Sequence, residues 1–208
     1  MRDVTVLDDA VAGAHLAALR DRTTPADRFR DHARQLGRLL TQRAVLDLPT
    51  TVRTVRTPLA ETGVTVPSCP AVAVPVLRAG LGLLPGLHDV LPEAPVGMVG
   101  LERDPATLRA HSYFHKVPPL AGSWVLVLEP MLATGGSAAD AIAALDLEGA
   151  LGVSLLSVVG TPPALDRLAD AHPGLRVLIG AVDPQLDDDG YIVPGLGDFG
   201  DRVFGTPH

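Results

Sequence analysis

The sequence predicts an α/β fold in which helices cover both faces of a parallel sheet. The prediction rests on the segment from Ala71 onward, where apolar runs of strand length alternate with segments of helix length. Such alternation is typical of parallel, doubly wound sheets. The apolar runs are also continuous, as burial on both faces of a sheet produces. The 208 residues suffice for one domain of ordinary size and are too few for two large ones.

Strands and helices are predicted to alternate along this segment. The predicted strands are Ala71–Leu77, Val96–Leu101, Trp124–Leu128, Leu151–Val159 and Leu175–Val182, and the predicted helices are Leu81–Val90, Ser137–Leu147 and Pro163–Ala171. The glycine- and proline-rich tail, Asp183–His208, is expected to hold little regular structure. We therefore expect a single domain, 1–208, made of an N-terminal helix and arm (1–70), an α/β core (71–182) and a tail (183–208).

An amphipathic helix is predicted near the N-terminus, packed on the core or on a second subunit. Thr24 is a suitable N-cap, and Pro25 is favoured at the first helical position. Apolar residues then recur at helical spacing to about Val45. These residues are Phe29, Ala33, Leu36 and Leu40. The next segment, Thr50–Pro70, is expected to form a short hairpin or an irregular arm.

Charge and composition exclude several classes of protein. The net charge of −7 argues against a chain that coats nucleic acid phosphates. Cys69 is the only cysteine, which excludes an internal disulfide and a cysteine-based zinc site. The segment Met1–Ala10 lacks the apolar core of a signal peptide, and the longest uncharged run, Gly149–Leu165, falls short of a membrane span. We expect a soluble, cytoplasmic protein.

A glycine-rich loop follows the predicted strand Trp124–Leu128 and leads directly into a helix. Ligands of parallel sheets bind at the carboxyl ends of strands, so such a loop is the first candidate for a binding site. Gly135 and Gly136 allow the backbone to approach a ligand, and the helix N-terminus favours an anion. Thr134 and Ser137 add hydroxyl donors. This pattern favours a phosphate cradle, and the simpler alternative is an ordinary strand-to-helix turn with two glycines.

Other ligand motifs are incomplete. The loop lacks the Gly-Lys-Ser/Thr of a Walker loop and the G-x-G-x-x-G of a dinucleotide fold. His111 and His115 have i, i+4 spacing, but they are expected to lie in a loop and have no apparent third ligand. The segment Asp187–Gly190 lacks the spaced ligands and closing glutamate of a calcium loop, which favours a solvated acidic turn. No protein side chain is therefore predicted to bind a metal.

Three segments together resemble the uracil phosphoribosyltransferase family. Glu129–Ser137 resembles its loop for phosphoribosyl diphosphate (PRPP), Val74–Gly82 its diphosphate-binding loop, and Tyr191–Asp198 its uracil-binding segment. Shorter matches occur at Arg28–Arg30, Leu39–Thr41 and Phe204–Thr206. The resemblance covers nearly the whole chain in the family's order, and the combination is very specific. It implies a type I phosphoribosyltransferase fold with a loop-rich, base-binding tail.

The resemblance also implies how PRPP is bound. Arg78, the backbone around Ala79, and Arg103 would contact the diphosphate, with Mg²⁺ accompanying PRPP. Glu129 would contact the ribose hydroxyls, and Asp198 would face the ribose and the base, where it could accept the base proton. The other residues implied in PRPP binding are Pro130, Met131, Leu132, Ala133, Thr134, Gly135, Gly136 and Ser137. Arg78, Arg103 and Asp198 are thus the predicted catalytic residues.

The residues implied in base binding include a clear departure from the family. The implied base-binding residues are Tyr191, Ile192, Gly197, Asp198 and Phe199, largely through their backbone groups. The family usually has alanine at the position of Phe199, whose ring could stack on the base, shrink the pocket or point into the core. Glu129 stands where the family normally has aspartate, and Arg43 where it typically has glutamate.

The leading functional hypothesis is an enzyme that converts uracil and PRPP to UMP and diphosphate. A second hypothesis keeps PRPP but changes the acceptor to a modified or smaller nitrogen base. A third is a non-catalytic regulator that senses PRPP or a nucleotide. The resemblance further implies a homodimer or larger homo-oligomer, and GTP as a candidate effector. No nucleic acid or membrane partner is expected.

Overall fold

The computed structural model describes residues 3–103 and 110–206, and their side chains except at 102, 103 and 110–112. The strands are β1 (Asp3–Val6), β2 (Thr50–Arg56), β3 (Glu61–Pro67), β4 (Ala71–Leu77), β5 (Met98–Arg103), β6 (Ala110–Lys116), β7 (Trp124–Leu128), β8 (Met131–Leu132), β9 (Gly152–Gly160), β10 (Arg176–Val182), β11 (Gln185–Leu186) and β12 (Ile192–Val193). The helices are α1 (Ala10–Arg20), α2 (Ala26–Ala44), α3 (Leu84–Val90), α4 (Gly136–Ala143), α5 (Pro162–Ala171) and α6 (Phe199–Phe204).

A mostly parallel sheet forms the centre of the described structure. Its strand order is β1-β10-β9-β7-β4-β5-β6, with β8 pairing beside β9. Every neighbouring pair in it is parallel except β5 and β6, which run antiparallel. The predicted α/β class is confirmed, and the correction concerns one edge, where β6 returns against β5.

Helices cover both faces of this sheet, as predicted. Along each central strand, alternate side chains point to opposite faces, and both sets are buried. One face packs against α1, α2 and α6 through Ala71, Ala73, Leu126, Leu128, Leu156, Val158 and Leu178. The other packs against α4 and α5 through Val72, Val74, Val125, Val127, Leu155, Val177 and Ile179. This double burial explains why the strands read as continuous apolar runs.

The N-terminal region contains more structure than the sequence indicated. The predicted amphipathic helix is α2, and its apolar stripe from Phe29 to Leu40 is fully buried. The predicted capping at Thr24 is wrong: Pro25 is the N-cap residue, and the Thr24 hydroxyl donates to the Ala18 carbonyl at 2.7 Å, which ties α2 to α1. Neither β1 nor α1 was predicted. The arm is a regular hairpin of β2 and β3.

Several predicted boundaries move. Helix α4 ends at Ala143 and not at Leu147, while the predicted helix Leu81–Val90 divides into a short 3-10 helix, Ala79–Gly82, and α3. His111 and His115 belong to β6 and not to a loop, because an edge strand paired on one side needs no long apolar run. The tail is more ordered than expected, since it contributes β11, β12 and α6.

No helix within residues 3–103 and 110–206 is long and apolar enough to cross a membrane.

The contact between Phe29 of α2 and Phe199 of α6 generates a stability prediction. The two rings are among the largest fully buried side chains and meet edge to face, with centroids 5.3 Å apart. We expect Phe29→Ala and Phe199→Ala each to lower the free energy of unfolding by about 3–5 kcal/mol. Urea denaturation of both variants and of the double variant measures this. Fully additive losses would contradict a direct contact, for which we expect a coupling of about 0.5–1.5 kcal/mol.

Candidate active site

The order of the strands creates a crevice at the carboxyl ends of β4 and β7. From β4 the chain moves to β5 on one side, whereas β7, β9 and β10 lie on the other. The loops after β4 and β7 therefore leave the sheet in opposite directions, and ligands of open α/β sheets bind at such a point. Parallel pairing places Pro75 opposite Leu128, so the loop beginning at Arg78 and the loop beginning at Glu129 lie side by side.

The loop after β7 leads directly into the N-terminus of α4, as its sequence predicted. Gly135 adopts a left-handed backbone with φ of 74° and is the N-cap of α4. A Cβ at Gly135 would lie 2.7 Å from the Ala164 carbonyl oxygen, so no larger residue fits without a shift. Thr134 and Ser137 are exposed on either side of Gly135 and Gly136, where their hydroxyls can face a ligand. The α4 N-terminus points at the same place and favours negative charge.

A threonine from a neighbouring element holds this loop. The Thr161 hydroxyl donates to the Ala133 carbonyl at 2.7 Å, and the Thr161 N–H donates to the Leu132 carbonyl at 3.1 Å. Thr161 is fully buried and also caps α5 through the Ala164 N–H. The loop is thus fastened to the end of β9 before any ligand arrives, which favours a preformed site.

Glu129 lies at the end of β7 and is buried. Burial raises the pKa of its carboxyl to about 8, although a hydrogen bond from the Met131 N–H acts in the opposite direction. A carboxyl with this pKa is mainly protonated at neutral pH.

The loop after β4 brings a cation to the same edge of the sheet. Arg78 is exposed, with its Nη2 atom 3.4 Å from an Asp201 carboxylate oxygen and its guanidinium 5.7 Å from the centre of the Phe204 ring. Arg78 therefore bridges this loop and α6. Gly80 allows the loop to lie against β7, because a Cβ there would be 2.3 Å from the Leu128 carbonyl oxygen.

A cavity of about 210 Å³ lies where the three motif segments meet. Its lining residues are Ala79 from the loop after β4, Met131 and Ala133 from the loop after β7, and Gly190, Tyr191, Ile192, Gly197, Asp198, Phe199 and Gly200 from the tail. A larger, mainly apolar cavity of about 310 Å³ lies at the amino end of β4, on the side away from these loops, and none of the predicted site residues lines it. We take the smaller cavity as the candidate base pocket, because only there do the predicted segments converge.

The Phe199 ring lies in the core, and the residue also contributes to the lining of this cavity. The ring is 1% exposed, packs on Phe29, and lies so close to Gly82 that a Cβ there would be 2.7 Å from it. Of the three orientations that the sequence left open, the ring thus takes the one into the core. The alanine-to-phenylalanine departure therefore fills space in the core beside the pocket, whose lining also includes the larger residues Met131, Tyr191 and Ile192.

Asp198 is half-buried and begins α6. Its carboxylate accepts a hydrogen bond from the Asp201 N–H at 2.8 Å, which fixes the side chain at the rim of the cavity. One carboxylate oxygen carries this bond, so the group retains further acceptor capacity.

Two further residues singled out in the sequence, Arg103 and Arg43, contribute no described contact to this site. Arg103 ends β5, but its side chain lies outside the described part. Arg43 is exposed in the last turn of α2. Within residues 3–103 and 110–206, no group of three or more His, Cys, Asp or Glu side chains is arranged to hold a metal ion.

Sequence reasoning missed the residues that support the tail. Arg20 of α1 and Asp183 after β10 form a bidentate ion pair that also hydrogen-bonds both backbone groups of Gly195. Arg202 binds carbonyl groups of α1 and of the tail. No local pattern could have revealed these contacts, because Arg20 and Asp183 are 163 residues apart.

The sequence matches the profile of a family described as uracil phosphoribosyltransferase over residues 6–206. The uracil phosphoribosyltransferase of Thermus thermophilus is 43% identical over 205 residues, which span 98% of this chain and 99% of the relative. That of Synechococcus elongatus is 48% identical over 202 residues, which span 92% of each chain.

Two solved structures are similar to this chain in fold. A protein from Aquifex aeolicus superposes with a TM-score of 0.91 at 33% identity and covers 98% of both chains. The orotate phosphoribosyltransferase of Mycobacterium tuberculosis, solved in complex with 5-phospho-α-D-ribosyl 1-diphosphate, has a TM-score of 0.51 at 15% identity and covers 85% of this chain and 91% of its own. The second likeness concerns the fold alone.

The backbone of Gly135 generates a prediction with a matched control. Gly135 and Gly122 share a φ of 74°, but a Cβ would meet the Ala164 carbonyl at Gly135 and nothing within 4 Å at Gly122. We expect Gly122→Ala to lower the free energy of unfolding by about 1 kcal/mol, through backbone strain alone. Gly135→Ala adds a steric clash, and we expect a loss of about 3 kcal/mol. If urea denaturation gave the two variants equal losses in the free energy of unfolding, the steric clash at Gly135 would contribute nothing to its loss.

The raised pKa of Glu129 generates a pH prediction. Between the unfolded pKa of about 4.3 and the folded value of about 8, the folded state binds one more proton than the unfolded state. The contribution of this group to stability is therefore complete at low pH and is lost as the pH rises through that window. We expect the wild type to lose about 1–2 kcal/mol more than Glu129→Gln between pH 5.5 and 7.5, measured by urea denaturation. Parallel curves for the two proteins would show that Glu129 ionises normally.

Proposed function

Because the chain belongs to the uracil phosphoribosyltransferase family, we propose that it transfers the 5-phosphoribosyl group of PRPP to uracil and forms UMP and diphosphate. The observation that carries the proposal is the cavity at which the loops after β4 and β7 meet the tail segment 190–200. One substrate is a phosphorylated sugar and the other a small planar base, and each has a matching part of this site.

The loop after β7 would bind the ribose 5-phosphate. The N–H groups at Gly135 and Gly136 and the hydroxyls of Thr134 and Ser137 surround the N-terminus of α4, where a phosphate is favoured. Glu129 would face the ribose hydroxyls. Its protonated carboxyl can both donate and accept a hydrogen bond, which suits a sugar hydroxyl.

The diphosphate would lie over the loop after β4. Arg78 is exposed there, and its guanidinium can bind two phosphate oxygens at once. We propose that Arg103, at the end of the neighbouring β5, adds a second cation. Mg²⁺ is expected to be held by the oxygens of PRPP and by water, as is usual for this ion at phosphate sites, where it would neutralise the charge of the departing diphosphate.

The reaction forms a bond between a ring nitrogen of uracil and C1 of the ribose, while the bond from C1 to the diphosphate oxygen breaks. The nitrogen loses its proton in this step, and Asp198 at the rim of the cavity is the proposed acceptor. Most of the acceleration would come from holding the two substrates in line. Backbone groups near Ile192 and Gly197 would distinguish the carbonyl groups of uracil from amino groups.

The two alternative hypotheses are not favoured. Transfer to a smaller or modified base was motivated by Phe199, Glu129 and Arg43. It is disfavoured because the ring of Phe199 is buried in the core and because relatives that match nearly the whole chain are named for uracil. A non-catalytic regulator is disfavoured because relatives that match nearly the whole chain are named as the enzyme.

We further propose that residues 1–208 work as a single domain and assemble into a homodimer or larger homo-oligomer. Support for assembly comes from the hairpin of β2 and β3, where Val52 is 70% and Leu59 is 96% exposed. A cytoplasmic location follows from the proposed chemistry, because a sugar diphosphate is too highly charged to cross a membrane unaided. GTP as an effector stays a prediction that an assay with and without GTP tests.

The assignment of Arg78 predicts a selective loss of activity. We expect Arg78→Ala to lower kcat/KM for PRPP by about 100-fold and Arg78→Lys to lower it less, since lysine keeps the charge but not the bidentate fork. The measurement is diphosphate release from PRPP with Mg²⁺ and a panel of bases, in which uracil should be the preferred acceptor.

The control is Arg167→Ala, which removes an exposed arginine of α5. It should leave kcat/KM unchanged. If the wild-type protein released diphosphate only with a base other than uracil, the assignment of uracil would be wrong. If Arg78→Ala kept full activity, the assigned role of Arg78 would be wrong.

A further inference from the structure

We propose that Arg20 and Asp183 are positioning residues that set the affinity of the site for the base by holding the backbone at Gly195 behind the base pocket. The inference rests on the proposed function and deepens it, because it assigns base recognition in part to residues that do not line the cavity. The two residues act through the wall of the pocket.

The ion pair has a geometry that fixes both partners. The Arg20 Nη2 atom lies 2.6 Å from Asp183 Oδ1, and its Nη1 atom lies 2.8 Å from Asp183 Oδ2. The Asp183 side chain is 6% exposed and that of Arg20 is 25% exposed. Asp183 is itself tied to the sheet, because its N–H donates to the Gly160 carbonyl at the end of β9 at 2.7 Å. The pair is therefore attached to the sheet at the carboxyl end of β9.

Both partners also bind the same residue of the tail. The Gly195 N–H donates to Asp183 Oδ2 at 2.9 Å, and the Gly195 carbonyl accepts from Arg20 Nη1 at 2.8 Å. Burial acts to raise the pKa of Asp183, but the hydrogen bonds from Arg20 and from Gly195 hold it below its usual value. Asp183 therefore remains a carboxylate at neutral pH, and the pair keeps its charges.

Gly195 lies in a tight turn that no other residue type fits without a shift of the backbone. Its φ is 55°, and a Cβ would lie 1.9 Å from the Ile192 carbonyl oxygen, so the chain turns tightly between these two residues. Ile192 and Gly197, on either side of the turn, both line the cavity. A displacement at Gly195 would therefore move the two backbone segments that face the base.

Arg202 provides a second attachment of the same segment to α1. Its Nη1 atom donates to the carbonyls of Leu196, at 2.8 Å, and of Leu19, while Nη2 donates to the Asp21 carbonyl at 2.6 Å. The guanidinium also lies 4.4 Å from the centre of the Phe29 ring. The end of α1 thus holds the tail at two neighbouring positions, which is a specific role for a helix that the sequence did not predict.

The pair should affect the two substrates unequally. The loops proposed to bind PRPP are fastened through Thr161 and through the close packing of Gly80 on β7, and neither contact includes Arg20 or Asp183. A substitution that loosens Gly195 should consequently weaken binding of the base and leave binding of PRPP nearly intact. A purely structural ion pair would change both affinities together or neither.

The experiment measures KM for uracil, KM for PRPP and kcat in the wild type and in Arg20→Ala, Arg20→Lys and Asp183→Asn. We expect KM for uracil to rise about tenfold or more in Arg20→Ala and Asp183→Asn, with less than a threefold change in KM for PRPP. The first leaves the buried Asp183 carboxylate without its cation, and the second removes the charge that holds Arg20. Arg20→Lys should lie between these variants and the wild type. If Arg20→Ala fails to fold, the two conservative variants carry the test.

The matched control is Arg34→Ala. Arg34 and Asp89 form an equally bidentate pair, at 2.7 and 2.8 Å, between α2 and α3, and neither residue lines the cavity. Removing this pair should leave both KM values unchanged.

Two failures can be told apart. A wild type that does not use uracil would overturn the proposed function. A wild type that uses uracil, with Arg20 and Asp183 variants whose two KM values stay unchanged or change by the same factor, would overturn the positioning role alone.

Discussion

A Cβ at Gly80 would lie 2.3 Å from the Leu128 carbonyl oxygen, and this close approach of the loop after β4 to the end of β7 determines the shape of the site. Two loops that leave neighbouring strands in opposite directions would ordinarily diverge. Contact at Gly80 keeps the first loop against the second strand, so Arg78 and Ala79 stay near the loop that begins at Glu129. The cavity, the cation and the helix N-terminus share one edge of the sheet as a result.

The two halves of the site are stabilised in different ways. The half assigned to PRPP is built from strand ends and adjacent turns. The contacts of Thr161 and Gly80 that support it join neighbouring parts of the sheet, while Arg78 also reaches α6 of the tail. The half assigned to the base comes from the tail, and the end of α1 holds it through Arg20 and Arg202. Under the proposed assignment, contacts near the strand ends would mainly shape the binding of the sugar phosphate, and long-range contacts would shape the binding of the base.

The same division explains what the sequence could predict. The strands, the cradle at Gly135 and the meeting of the three motif segments follow from apolar periodicity, glycine placement and family resemblance. The predicted cap at Thr24 failed because its hydroxyl binds α1, a helix whose weak periodicity gave no signal. The orientation of Phe199 was left open, since only the position of Phe29 and the space at Gly82 decide it. Arg20 and Asp183 carry no local pattern at all.

The burial of Glu129 alters the charge that an arriving substrate meets. Because burial raises its pKa to about 8, the carboxyl is mainly neutral at pH 7. PRPP carries several negative charges, and an ionised carboxylate at the end of β7 would repel them. A neutral acid would remove that repulsion, and in the proposed role of Glu129 it would still offer a hydroxyl and a carbonyl to the ribose. In more alkaline solution the same group becomes an anion, so under the proposed assignment the electrostatic attraction of the loop for PRPP would depend on a proton held by the protein.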